Sequence, residues 1–240
     1  MINEKRNIIR NELFASSDNI KCGKLEKFAD SDLYLLFRIY DNLYLNDWFK
    51  NNFEGIIINF KFSRRLKSSA GITKCQKNIS IPEKQTFEID ISADFLFDYH
   101  KVDRDIYVNG IKTEDSLDAL MLVFEHELCH VLENLQYGKT SCRGKRFKNM
   151  AYMLFGHTDV THALPTNYEI NQLNYKLKIG DRAAFEFEGK AMQGIINRIN
   201  KRATVMVENQ NGKYIDRLGK RYQKFYVPLD MLHKILNLPL

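Results

Sequence analysis

Residues 123–133 read VFEHELCHVLE and contain His126-Glu127-Leu128-Cys129-His130, the HExxH arrangement. The flanking residues predict a helix over 116–137 on independent grounds, because Leu117, Leu120, Met121, Phe124, Leu128, Val131, Leu132 and Leu135 recur at helical spacing. Asp115, Ser116 and Asp118 favour the positive N-terminus of such a helix, and Gly138 is a natural stop. Residues four apart share one helix face, so the two imidazoles can converge on a single cation with Glu127 beside it. Zinc held there would lower the pKa of a water toward about 7, Glu127 would take its proton, and attack would fall on a carbonyl that the metal polarises. The plainer alternative is a structural helix on which two histidines happen to fall four apart; the agreement of motif and helix favours the metal site.

Outward from this helix, the periodicity of Leu35, Leu36, Ile39, Tyr40, Leu43 and Trp48 predicts a core-facing helix over 32–49, with Ser31 or Asp32 as its cap. Residues 1–30 read as an N-terminal extension, helical in character. Three short β-rich runs follow the helix, GIIINFKF (55–62), AGITKC (70–75) and FEIDIS (87–92), and Asn109-Gly110 marks a tight turn. Downstream, a helix is expected over 145–154 and Gly156 ends it, after which 163–174 has the proline and polar content of a linker. From there KIGDRAAFEFEG, MQGIINRI, RATVMVEN and KFYVPLDML read as strands of a small SH3-like barrel. The fold class is α+β, with helices flanking a small sheet and the metal helix at its centre. The expected domains are 31–164, a linker 165–174, and an all-β domain 175–240.

The 240 residues are 44% hydrophobic, enough to bury a real core and to argue against disorder. No stretch approaches the roughly 20 apolar residues of a membrane span, and the opening MINEKRNIIRNELF lacks the continuous apolar segment of a secretory signal. The expectation is a protein with no membrane partner that stays in the cytoplasm. Cys22, Cys75, Cys129 and Cys142 are scattered without a CxxC pair, which speaks against a disulfide framework and against a four-cysteine zinc ribbon. The net charge is +6, and residues 170–240 carry 13 Lys and Arg against 6 Asp and Glu, a net of +7 that leaves −1 for the rest. A polyanion such as nucleic acid is one reading of that basic part; a solvated basic face is the commoner one.

Across 32–164 the chain resembles the SprT-like family, relatives of the Spartan protease that degrades protein crosslinked to DNA. The resemblance rests on the aromatic first helix, the segment SRRLKSSAGITKC, the HELCH helix, the helix GKRFKNMAYMLFG and the closing FGHTDVTH that ends at Thr161-His162. It implies a zincin-like fold, one catalytic Zn2+, a protein substrate, His126 and His130 as ligands and Glu127 as catalytic base. The family's third ligand is usually a histidine just before the glycine of an HG-x-x-F pattern, and here that position is Arg143, a cation with no lone pair to offer. Three explanations stand: a substitute ligand, which could be Cys142, His157 or His162; weak binding through two histidines and water; or a silent protease domain kept as a scaffold. The resemblance also suits His162 to stabilising an oxyanion. Arg143→His is expected to raise zinc affinity substantially, because it removes a cation and adds an imidazole. His100 and His233 belong to no motif and read as surface or structural residues.

Several relatives end in a cysteine-rich zinc ribbon, whereas no cysteine follows Cys142 here. In the tail Arg198, Lys201, Arg202, Lys220, Arg221 and Lys224 alternate with Tyr214, Tyr222, Phe225 and Tyr226. Such a mixture suits single-stranded nucleic acid, but strand alternation produces it automatically when the aromatics fill a core and the charges face water, and that second reading is preferred. The leading expectation is therefore a zinc-dependent endopeptidase with DNA as a candidate partner of its tail. Its rivals are a silent scaffold and a nucleic-acid-binding protein whose HExxH helix is structural.

Overall fold

The computed structural model describes residues 2–52, 56–77 and 85–235; Gly55 of the first β-rich run and residues 236–240 of the tail lie outside them. Met1–Leu164 and Pro165–Leu240 form two units. In the first unit α1 (Ile2–Ser16), α2 (Asp30–Ile39) and α3 (Trp48–Asn52) precede β1 (Ile57–Ser63), β2 (Gly71–Lys77) and β3 (Gln85–Ser92). Then come α4 (Ala93–Phe97), the hairpin of β4 (Ile106–Val108) and β5 (Ile111–Thr113), α5 (Ser116–Tyr137) and α6 (Lys145–Phe155).

The helix α5 carries the HExxH residues. Asp115 caps it, its Oδ1 accepting the N–H groups of Leu117 at 3.1 Å and Asp118 at 3.0 Å, and Gly138 closes it in the left-handed region at φ 70°. Leu117, Leu120, Phe124, Leu128 and Val131 are fully buried, each contributing roughly 1.5–3 kcal/mol relative to exposure. Ala119, Leu122, Val123 and Cys129 are buried as well, so this helix is surrounded rather than laid on a surface. The sheet has the order β1-β3-β2, with β1 parallel and β2 antiparallel to β3. Its middle strand is the most buried, through Phe87, Ile89 and Ile91, and this leaves β2 as an edge. The Asn109-Gly110 turn has φ values of 52° and 79° and links β4 to β5, and the Asn109 amide donates to the Leu122 carbonyl of α5 at 2.7 Å.

Two expectations need correction. The helix expected over 32–49 is broken: α2 ends at Ile39, Tyr40–Tyr44 form one wide π turn, and Asn46 and Asp47 adopt φ of 55° and 57° before α3 starts. The cause is local side-chain competition, since Asp41 turns back to accept the N–H groups of Phe49 at 2.8 Å and Lys50 at 3.2 Å. The linker expected over 165–174 is instead largely helical, as α7 (Asn167–Tyr175). Thr166 Oγ1 accepts the Glu169 N–H at 3.2 Å, and Ile170 is buried. The Thr-x-x-Glu spacing that starts it is a capping-box signature already present in the sequence.

The N-terminal extension is helical over Ile2–Ser16, as α1. Ile9 and Leu13 of α1 are fully buried in the core of the first unit. Arg10 pairs with Asp115 and Asp118 at the start of α5, and Arg6 reaches Glu125.

The second unit continues with β6 (Arg182–Phe187), β7 (Lys190–Ile199), β8 (Arg202–Glu208), β9 (Tyr214–Ile215), β10 (Arg221–Pro228) and β11 (His233–Lys234). They form one antiparallel sheet of order β11-β6-β7-β8-β10-β9 over a core that includes Phe185, Ile196, Val205, Phe225 and Val227. Among the described residues the two edge strands β9 and β11 do not pair with each other, so the sheet is what is established and barrel closure is not. Among the same residues no helix is long and apolar enough to cross a membrane.

Candidate metal centre

His126 and His130 leave α5 one turn apart, and their ring centroids lie 5.0 Å from each other. Both rings pack on Phe147 of α6, at 4.9 and 4.4 Å between centroids, and Phe147 is fully buried. The aromatic position three residues after Gly144 is thus the floor beneath the two imidazoles. His130 Nδ1 lies 2.6 Å from the Thr140 hydroxyl, which fixes the ring from outside the helix. Burial depresses both imidazoles, His126 to about 3 with help from the neighbouring His130, His157 and His162, and His130 to about 4. Both rings are therefore neutral near pH 7, the form that ligates metals.

Glu127 is buried, and desolvation pushes its carboxyl up to about 7 against hydrogen bonds from Thr73. The Thr73 hydroxyl donates to Glu127 Oε2 at 2.7 Å. Gly71, two residues earlier on β2, leaves the room: a Cβ at that position would sit 2.5 Å from Glu127 Oε1 and 2.8 Å from its Cγ. The sequence marks this glycine within the segment SRRLKSSAGITKC, where the small residues read as a turn into a strand, but it assigns neither Gly71 nor Thr73 a place beside Glu127.

A cleft of about 530 Å3 collects these groups, lined by Gly71, Thr73, Asn109, His126, Glu127, His130, Cys142 and His162 among others. A larger groove of about 830 Å3 lies among Trp48, Tyr137, Met150 and Met153, and among the described residues no histidine, cysteine or carboxylate lines it.

The substitute-ligand residues separate sharply. One ligand atom from each of His126, His130 and Cys142 lies within 4.8 Å of the other two. Two imidazole nitrogens and a sulfur suit zinc, which takes nitrogen and sulfur donors. The Nδ1 of His126 is buried without a hydrogen-bond partner among the described residues, so the protein's own bonding around this ring is incomplete. Arg143 is exposed and does not line the cleft.

His157 is buried and engaged elsewhere, its Nε2 2.8 Å from Glu125 Oε2. Glu125 is fully buried and accepts two further partners, Tyr40 at 2.7 Å and the Arg6 guanidinium at 2.8 and 2.6 Å. Burial pushes the Glu125 carboxyl up, but the bonds from Arg6 and His157 outweigh it and hold the group below the ordinary range. His157 is thus a structural residue of this cluster. His162 lines the cleft with its ring 5.0 Å from that of Phe95, and its Nδ1 accepts the Leu164 N–H at 3.4 Å. His100 and His233 are both exposed.

In the second unit the six basic residues form no single patch. Arg198, Lys201 and Arg202 surround the β7–β8 turn, whereas Lys220, Arg221 and Lys224 stand toward the other end of β10, because Arg202 pairs with Pro228 and Glu208 with Tyr222. Those two pairs are six positions apart along β8, roughly 20 Å. Lys220 is paired with Glu208 at 3.2 Å, and Lys224 lies over the Tyr214 ring at 4.1 Å. Phe225 fills the core, while Tyr214 and Tyr226 are exposed.

Comparisons with curated proteins and with solved structures return no match. The model of the SprT-like family, however, matches residues 41–169, more than half of the chain and the whole of α5 and α6, and the chain therefore belongs to the SprT-like family.

Proposed function

We propose that this chain is a zinc-dependent endopeptidase of SprT-like type, with His126 and His130 holding the ion and Glu127 as general base. The observation that carries the reading is the meeting of two neutral imidazoles and a buried carboxylate in one cleft. A divalent ion in that place supplies Lewis-acid polarisation of a carbonyl and lowers the pKa of a water. Glu127, raised to about 7, is poised to take a proton near neutral pH and return it to a leaving amine. Gly71, Ile72 and Thr73 line the cleft from β2, which among the described residues is an edge strand of its sheet and suits pairing with an extended peptide. His162, with Nδ1 accepting, carries its ring proton on Nε2 when neutral, which suits it to donate to a developing oxyanion.

Zinc content and hydrolysis of a denatured protein test this reading. The expected result is close to one zinc per chain, with activity lost on chelation and restored by zinc. No bound zinc and no hydrolysis under any condition would leave the scaffold reading.

Gly71→Ala adds a test of the base. The new methyl displaces the Glu127 carboxylate, and a misplacement of about 1 Å costs on the order of 100-fold in rate. We expect that loss in kcat with zinc content unchanged; wild-type kcat would show that the carboxylate tolerates the shift.

A second reading concerns the tail, where the exposed Tyr226 and the Lys224–Tyr214 pair offer ring faces beside a cation. If this surface recruits substrate on DNA, a single-stranded oligonucleotide should bind the full chain with strong salt dependence and more weakly to the Lys224→Ala/Tyr226→Ala variant. Equal binding by both proteins would remove this face from consideration.

A further inference from the structure

We propose that Cys142 is the third protein ligand of the metal centre, making a two-histidine, one-cysteine site in which the side chain next to it, Arg143, is turned out of the first coordination sphere. The inference rests on the metal-dependent reading above and specifies its ligand set.

Three observations carry it. First, the sulfur of Cys142 and one nitrogen from each imidazole lie within 4.8 Å of one another. Ligand atoms around a tetrahedral zinc stand roughly 3.3–3.7 Å apart, given bonds of about 2.0–2.3 Å, so closing the set shortens any separation by about 1.5 Å at most.

Second, the turn that presents Cys142 is fixed. Gly144 N–H donates to the Ser141 carbonyl at 2.8 Å, which closes a four-residue turn with Cys142 and Arg143 at its centre. Ser141 N–H donates in turn to Glu133 Oε2 at 3.0 Å, and Arg146 donates to Glu133 Oε1 at 2.8 Å. Glu133 lies three residues beyond His130 on α5, so the helix that carries two ligands also anchors the turn that carries the third. The neighbouring Thr140 holds His130 Nδ1.

Third, the two central residues of the turn part company. Cys142 is half-buried and lines the cleft, whereas Arg143 is exposed and does not. The histidine expected before Gly144 is therefore replaced in function by the residue one position earlier, and the guanidinium, which would repel a cation, stays in water. A thiolate also gives the ligand set one negative charge and makes it softer, which favours zinc or cobalt over harder cations.

The test uses the full chain loaded with cobalt(II), together with competitive zinc titration. A thiolate ligand produces a sulfur-to-cobalt charge-transfer band in the near ultraviolet. We expect this band in the wild-type protein, its loss in Cys142→Ser, and a fall in zinc affinity by more than about 100-fold, the upper end of what loss of a ligand's supporting hydrogen bond alone costs. Arg143→His, contrary to the expectation from sequence, should leave the band and the zinc affinity as they are, because that side chain is exposed.

Cobalt binding that is abolished by His126→Ala but shows no charge-transfer band, with Cys142→Ser keeping wild-type zinc affinity, would overturn the thiolate ligand and leave the metal-dependent reading standing. A gain of affinity in Arg143→His that comes with loss of the charge-transfer band would overturn it as well. Absence of cobalt and zinc binding in the wild type would overturn the metal-dependent reading itself.

Discussion

Glu127→Gln is expected to keep the fold and the metal content while lowering peptide hydrolysis by about 10²–10⁴-fold, the usual contribution of a positioned general base. The expectation follows from where the carboxylate sits. It is buried, it has been pushed up to about 7 by desolvation, and Thr73 is placed to hold it toward the cleft. Glutamine has the same shape and can still accept from the Thr73 hydroxyl, so geometry is preserved and only the ability to take a proton is removed. An amide is also cheaper to bury than a carboxylate, so the thermal midpoint should stay at or above that of the wild type. Three measurements on one preparation decide it: kcat/KM on a denatured protein, zinc per chain and the unfolding midpoint. Hydrolysis at the wild-type rate with zinc bound would remove Glu127 from the chemistry.

Arg6→Met is expected to cost about 3 kcal/mol of stability, the lower end of the 3–5 kcal/mol typical of a buried ion pair that loses one partner. Among the described residues Arg6 is the one guanidinium or ammonium group on the Glu125 carboxylate, and it makes a two-pronged contact at 2.8 and 2.6 Å while also donating to the Phe155 carbonyl at 2.6 Å. Methionine fills much of the same volume and supplies none of these donors. Glu125 keeps Tyr40 and His157, which is why the lower end applies. At about 2–4 °C per kcal/mol for a chain of this size, the midpoint should fall by roughly 6–12 °C. Glu125→Gln in the Arg6→Met background should recover part of the loss, since it removes the uncompensated charge. A midpoint unchanged in Arg6→Met would mean that the carboxylate is neutral or satisfied without the guanidinium. Because Glu125 precedes His126, the same variant reports how far the N-terminal helix supports α5.

Much of this organisation is local and could be read directly. The stripe from Leu117 to Leu132, the cap at Asp115 and the stop at Gly138 place α5 where the periodicity predicts it, and His126 and His130 meet because a helix repeats every 3.6 residues. Other local signals were present but weaker than their competitors. Asp41 breaks the second helix by bonding back to the backbone, and Thr166-x-x-Glu169 starts a helix in a stretch whose proline suggested a linker.

What the one-dimensional pattern determined, then, is the HExxH helix, the two imidazoles and the carboxylate between them, since all three depend on spacing within a single element. Tertiary packing alone decided which of Cys142 and Arg143 faces the imidazoles, that His157 bonds Glu125, that Gly71 and Thr73 flank Glu127, and that Arg6 pairs with a carboxylate 119 positions away. The reason is physical. Adjacent residues in a turn diverge by an angle that composition does not encode, and a contact between distant segments exists only once the core has brought their backbones together.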